Sequence, residues 1–120
     1  NAFRSALEAR RAYPGFESDA HLDFGELACA LKRTELFAEV AAALDEFGHG
    51  SPYPAHVYQY SAIRALLAEA AGDLAVAREQ ARAALNAASA TESPFRRHRH
   101  LGLVSHVDPL LIAQLRALAA

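Results

Sequence analysis

A chain of 120 residues with a formal net charge of −2 suits one small domain with a single core and excludes a general polyanion-binding surface, so neither nucleic acid nor an anionic membrane is an expected partner. Hydrophobic residues make up 52% and aromatic ones only 8%, a balance that points to an alanine-rich helical protein. Cys29 is the one cysteine, which excludes an intrachain disulfide and favours a reducing cytoplasm; no apolar run reaches transmembrane length or reads as a signal peptide.

The chain holds no methionine, even at position 1, so it reads as a processed or excised piece of a longer parent, with Asn1-Ala2 as a remnant of tag cleavage and residues 3–120 as one helical domain. Phe3, Ala6 and Leu7, interleaved with Arg4, Glu8, Arg10 and Arg11, predict a short amphipathic helix stopped by Tyr13-Pro14-Gly15. Ser18 or Asp19 can cap a second helix whose apolar face is Phe24, Leu27, Ala28 and Leu31, with Lys32-Arg33 favouring its C-terminal dipole. Gly25 inside it costs about 1 kcal/mol against alanine and reads as a close helix crossing. Thr34 can cap a third helix, with Leu36, Val40, Leu44 and Phe47 on one side and Glu35, Glu39, Asp45 and Glu46 mostly on the other, ended by Gly48.

Pro54, after the loop His49 to Pro54, suits the first turn of a fourth helix. There Val57, Tyr60, Ile63 and Leu67 predict the buried stripe, widened by Leu66 and Ala70. Gly72 then supplies a residue that accepts the left-handed conformation, and Asp73 offers a carboxylate to the next helix, so one dipeptide closes one helix and opens another. Leu74, Ala77, Ala81, Ala84, Leu85 and Ala88 form the inner stripe of the fifth, with Arg78, Glu79, Arg82 and Asn86 toward solvent. Alanine on that stripe lets two helix axes approach closely. Ser89 to Val107 is the longest stretch without periodicity. Asp108-Pro109 starts a last helix with Leu111, Ile112, Leu115 and Leu118 inward.

The run Gly72-Asp73, Ala77, Ala81 and Ala84-Leu85 resembles the second half of a tetratricopeptide repeat. The first half departs from that pattern: Ser61 stands where the family prefers a large aromatic, and Arg64 and Ala68 replace apolar or aromatic residues. Thr34 and Asp73 are 39 residues apart, within the range for helical-hairpin repeats. The resemblance implies an all-α fold of about six helices, antiparallel helical hairpins in a tetratricopeptide-like, short α-solenoid arrangement, with a protein-binding surface and no catalytic residues. Two degenerate repeats are fewer than a self-sufficient solenoid needs, so terminal helices or a second copy must cover the ends.

Four groups of residues could carry chemistry. His98, His100 and His106 have the donor density of a zinc or copper site, but the spacing matches no tight ligand signature, and the preferred reading is loop histidines with no metal or cofactor. Arg96, Arg97 and Arg99 with His98 and His100 could grip phosphate or carboxylate oxygens, with Phe95 stacking; the simpler reading pairs these arginines with helix-three acids or helix C-termini. The acids Asp23, Glu26, Glu35, Glu39, Asp45 and Glu46 read as a solvated face, since acid–base work needs a buried or closely paired carboxylate. Tyr53, His56, Tyr58, Gln59 and Tyr60 at the head of helix four form the best candidate interface, with Tyr60 as the residue most suited to the core.

Cys29 reads as a small buried apolar residue, and no serine has a nucleophile-elbow context. The expected function is therefore a non-catalytic protein-interaction or assembly module, whose partner is another protein, another domain of its parent chain, or a second copy. The expected contact lies on the concave side of the hairpins or on the Ser89–Val107 segment. The alternative is a ligand-binding or regulatory domain using Arg96–His106 for an anion or a metal ion.

Overall fold

The computed structural model describes Ser5, Glu8, residues 20–48 and 53–90, Val104 and residues 108–120. All regular structure among these residues is helical: α1 (Ala20–Ala30), a 3-10 turn (Thr34–Leu36), α2 (Phe37–Phe47), α3 (Pro54–Ala70), α4 (Leu74–Ala88) and α5 (Pro109–Ala119). Of the expected first helix, only Ser5 and Glu8 fall among the described residues, and both are helical and exposed. The chain divides into two units, Asn1–Gly48 and His49–Ala120.

In the first unit α1 packs on α2. The buried side of α1 is His21, Leu22, Phe24, Gly25 and Ala28, and that of α2 is Val40, Ala43 and Leu44. Leu27 and Leu31, expected on the inner face, are 46% and 59% exposed. The inner stripe runs instead through positions 21, 25 and 28, which recur at the helical offsets of four and three. Phe24 and Ala28 are buried as expected, while His21 and Gly25, weak signals in an apolar count, take the inward places expected of the two leucines.

α1 ends in a left-handed residue that is not glycine. Lys32 has φ 53°; its N–H donates to the Cys29 carbonyl at 3.1 Å, and the Arg33 N–H donates to the Ala28 carbonyl at 2.9 Å. These two bonds, wrapping back over the last turn, are those of a Schellman cap. Lys32 thus lies beyond the helix as part of its stop, and α1 has no basic residue in its last turn. Thr34 does not cap α2, as its position suggested. Its carbonyl accepts the Phe37 N–H in a 3-10 turn, and the residue flanking the start of α2 is Leu36, with no side-chain capping bond. At the far end Gly48, at φ 64°, stops α2 and donates its N–H to the Leu44 carbonyl at 2.8 Å.

In the second unit the Gly72-Asp73 turn forms as its chemistry dictates. Gly72 has φ 81°, its N–H donates to the Glu69 carbonyl at 3.0 Å, and the Asp73 N–H donates to the Ala68 carbonyl at 2.9 Å. The Asp73 carboxylate then accepts the Val76 N–H at 3.2 Å, opening α4. The core lies symmetrically about this turn. Ala65 and Ala81 each stand eight residues from Asp73, Ala62 and Ala84 each stand eleven, and Tyr58 and Ala87 stand fifteen and fourteen. This register belongs to two helices folded back on each other, and α4 packs along α3. Ser61, Ala62, Ala65 and Ala68 line α3, and Ala77, Ala81, Ala84 and Ala87 line α4. Small side chains on both faces let the two backbones approach closely.

The expected stripe of α3 is displaced by one residue. Tyr58, rather than Tyr60, is in the core; Val57, Tyr60, Leu66 and Leu67 are half-buried and Ala70 is exposed, while Ile63 is buried as expected. One residue is about 100° of helix rotation. Apolar residues occur all round α3, so their periodicity fixes its phase weakly, and the alanine-lined face of α4 selects the small residues.

Asp108-Pro109 starts α5 as expected, with the Asp108 carboxylate accepting the Leu110 N–H at 3.0 Å. Leu115 is fully buried in the α3–α4 core, with Leu111, Ile112 and Leu118 packed at its edge. Two polar bonds tie α5 to the hairpin. Arg82 Nε donates to the Ala119 carbonyl, and Gln114 Nε2 donates to Glu69 Oε1, each at 3.0 Å.

Candidate functional site

Arg96, Arg97, His98, Arg99, His100 and His106 lie outside the described residues, as does most of Ser89–Val107; Ser89 itself closes α4 by donating its N–H to the Leu85 carbonyl at 3.1 Å. Among the described residues, the expected contact positions lie at the head of α3. Pro54 begins this helix with its fixed φ and missing N–H, and extended Tyr53 precedes it. That start sets Tyr53, His56, Tyr60 and Arg64 at offsets of three, four and four, along one side of the helix.

These four side chains are half-buried and interact in pairs. The Tyr53 and His56 rings meet edge to face, with centroids 5.9 Å apart and planes at 80°. Arg64 Nε donates to the Tyr60 hydroxyl at 3.2 Å, and its guanidinium lies 5.2 Å from the Tyr60 ring centroid. Tyr58 does not belong to this ridge. It is 7% exposed and packs with Ala62, Ala65, Ala81, Ala84, Ala87 and Leu115, so its expected place in an interface is corrected to a place in the core. Arg64 was not among the expected contact residues. Its helical offset of four from Tyr60 is the signal that could have added it.

The first unit holds a buried polar side chain that the sequence did not single out. His21 is 1% exposed; its Nε2 lies 2.5 Å from the Gly48 carbonyl, and its ring centroid is 5.5 Å from that of Phe47, with planes tilted 52°. Because the Gly48 carbonyl can only accept, this contact assigns the Nε2 proton to His21. The imidazole pins the start of α1 to the end of α2.

The acids form a solvated set. Asp23, Glu26, Glu35, Asp45 and Glu46 are exposed and Glu39 is half-buried. Arg33 pairs with Glu35 within the connection, a hydrogen bond that holds the Glu35 carboxyl below its ordinary range. Both side chains are more than half exposed, so water screens the pair. Cys29 is a half-buried free thiol rather than a fully buried one. Burial first and the Glu26 charge second push it up to about 11, the opposite of the activation a nucleophilic cysteine needs.

Among the described residues, no three His, Cys, Asp or Glu side chains are grouped to hold a metal ion, and no helix is long and apolar enough to cross a membrane. Comparisons with protein-family models, curated proteins and solved structures find no match.

Proposed function

We propose that this chain is a non-catalytic scaffold of tetratricopeptide-like helical hairpins, acting in the cytoplasm as a protein-interaction or assembly module. The observation that carries this reading is the recurrence of one helix stop. The left-handed residues Lys32 and Gly72 are 40 apart, and so are the carbonyls of Ala28 and Ala68 that close the two caps. Buried positions recur at the same interval, with His21 and Ser61, Leu22 and Ala62, Gly25 and Ala65, and Ala28 and Ala68 all inward. The 3-10 turn adds three residues after the first cap, and from there the interval falls to 37, at which Val40 matches Ala77 and Leu44 matches Ala81. A hairpin used twice is how helical arrays generate extended binding surfaces.

Exposed apolar side chains support a surface that meets protein. Leu27, in the last turn of α1, and Leu31, just past its end, stand four residues apart, and Leu74 and Leu110 are exposed in the first turns of α4 and α5. Single exposed leucines are ordinary on any protein, so the weight rests on the pair Leu27 and Leu31. The partner is a second copy, another chain, or another part of any longer chain that contains this one, and the lone thiol of Cys29 fits a reducing compartment.

Sedimentation velocity over about a hundredfold range of concentration tests the self-assembly form, and hydrogen exchange on the chain alone and within any longer chain that contains it tests the intramolecular form. The proposal expects either a sedimentation coefficient that rises with concentration and is held down by Leu27→Glu with Leu31→Glu, or protection gained over α1 in such a longer chain. A chain that stays monomeric, with exchange over both hairpins unchanged in any longer chain and no protein partner retained under mild cross-linking, overturns it.

A further inference from the structure

We draw no further inference here: the strongest candidate, the exposed apolar pair Leu27 and Leu31 at the C-terminal end of α1, is an unpartnered face that belongs to the surface already proposed, and nothing in the structure shows what covers it.

Discussion

Lys32 and Gly72 do the same work in the two units: each follows its helix at a positive φ, 53° and 81°, and each is the point where the last turn is wrapped by two backward N–H bonds. Their costs differ. An L-residue in this conformation is strained by about 1–2 kcal/mol, whereas glycine adopts it freely but loses more chain entropy on folding. Lys32→Gly is therefore expected to stabilise the first unit by about 0.5–1 kcal/mol. Gly72→Ala is expected to destabilise the second by about 1 kcal/mol, through backbone strain alone, since a Cβ built there meets nothing within 4 Å. Urea unfolding of both variants measures this, and opposite signs are the expected outcome.

The alanine faces of α3 and α4 predict sensitivity to size rather than polarity. Ala81 is fully buried in the hairpin core, and Ala81→Leu forces the helices apart, with an expected loss of about 1–3 kcal/mol. The same change at exposed Ala75 is expected to alter stability by less than about 0.5 kcal/mol. Thermal denaturation of the pair distinguishes close packing from a general dislike of leucine on α4.

What was legible in the sequence was the punctuation. Gly48, Gly72-Asp73 and Asp108-Pro109 act through local chemistry, a left-handed backbone or a carboxylate facing open N–H groups, and each does in the structure what its residue type implies. The phase of α1 and α3 was less legible, because their inner faces include His21, Gly25 and Ser61, which add little to an apolar count and are inside because they are small or hydrogen-bonded. That error placed Tyr60 where Tyr58 belongs and turned Leu27 and Leu31 inward. Lys32 was unreadable as a helix stop, since nothing in its side chain favours a positive φ.

The side-chain caps of α4 and α5 are separable from packing. Asp73→Ala and Asp108→Ala each remove the acceptor of one orphan helix N–H, with an expected loss of about 1 kcal/mol apiece, and Asn at either position is expected to retain most of it. Urea titration followed by circular dichroism checks this. Equal losses for Ala and Asn would show that the oxygen's hydrogen bond is not what stabilises these starts.

His21 is expected to be the most sensitive polar position of the first unit. His21→Ala opens a cavity beside Phe47 and deprives the Gly48 carbonyl of its donor, with an expected loss of about 2–4 kcal/mol. His21→Gln keeps a terminal N–H and is expected to recover part of that loss. Amide exchange at Leu44 to Gly48 reports whether the end of α2 frays when the donor is removed.

Cys29 links folding to pH at the alkaline end. Its thiol is raised from an ordinary 9.0 to about 11, so the folded chain retains a proton that the unfolded chain gives up. The resulting stability is fully present below the unfolded value and is lost as pH rises through about 11. At about pH 8 the folded thiol holds roughly one hundredth of the ordinary thiolate, and alkylation by iodoacetamide is expected to be slower by about that factor than in urea. Glu26→Gln is expected to speed it modestly, because that charge is the second cause after burial.

The hairpin about Gly72-Asp73 supports the whole scaffold reading, and spin labels at Gln59→Cys and Asn86→Cys, in a Cys29→Ser background, measure it directly. These positions are 27 residues apart and nearly equidistant from the turn. Folded back, the labels stand within about 20 Å of each other, as two helices packed at 8–10 Å require. A single distribution there is the expected result. A continuous helix through the same residues would set them about 40 Å apart, and a distribution centred at that distance would contradict the account.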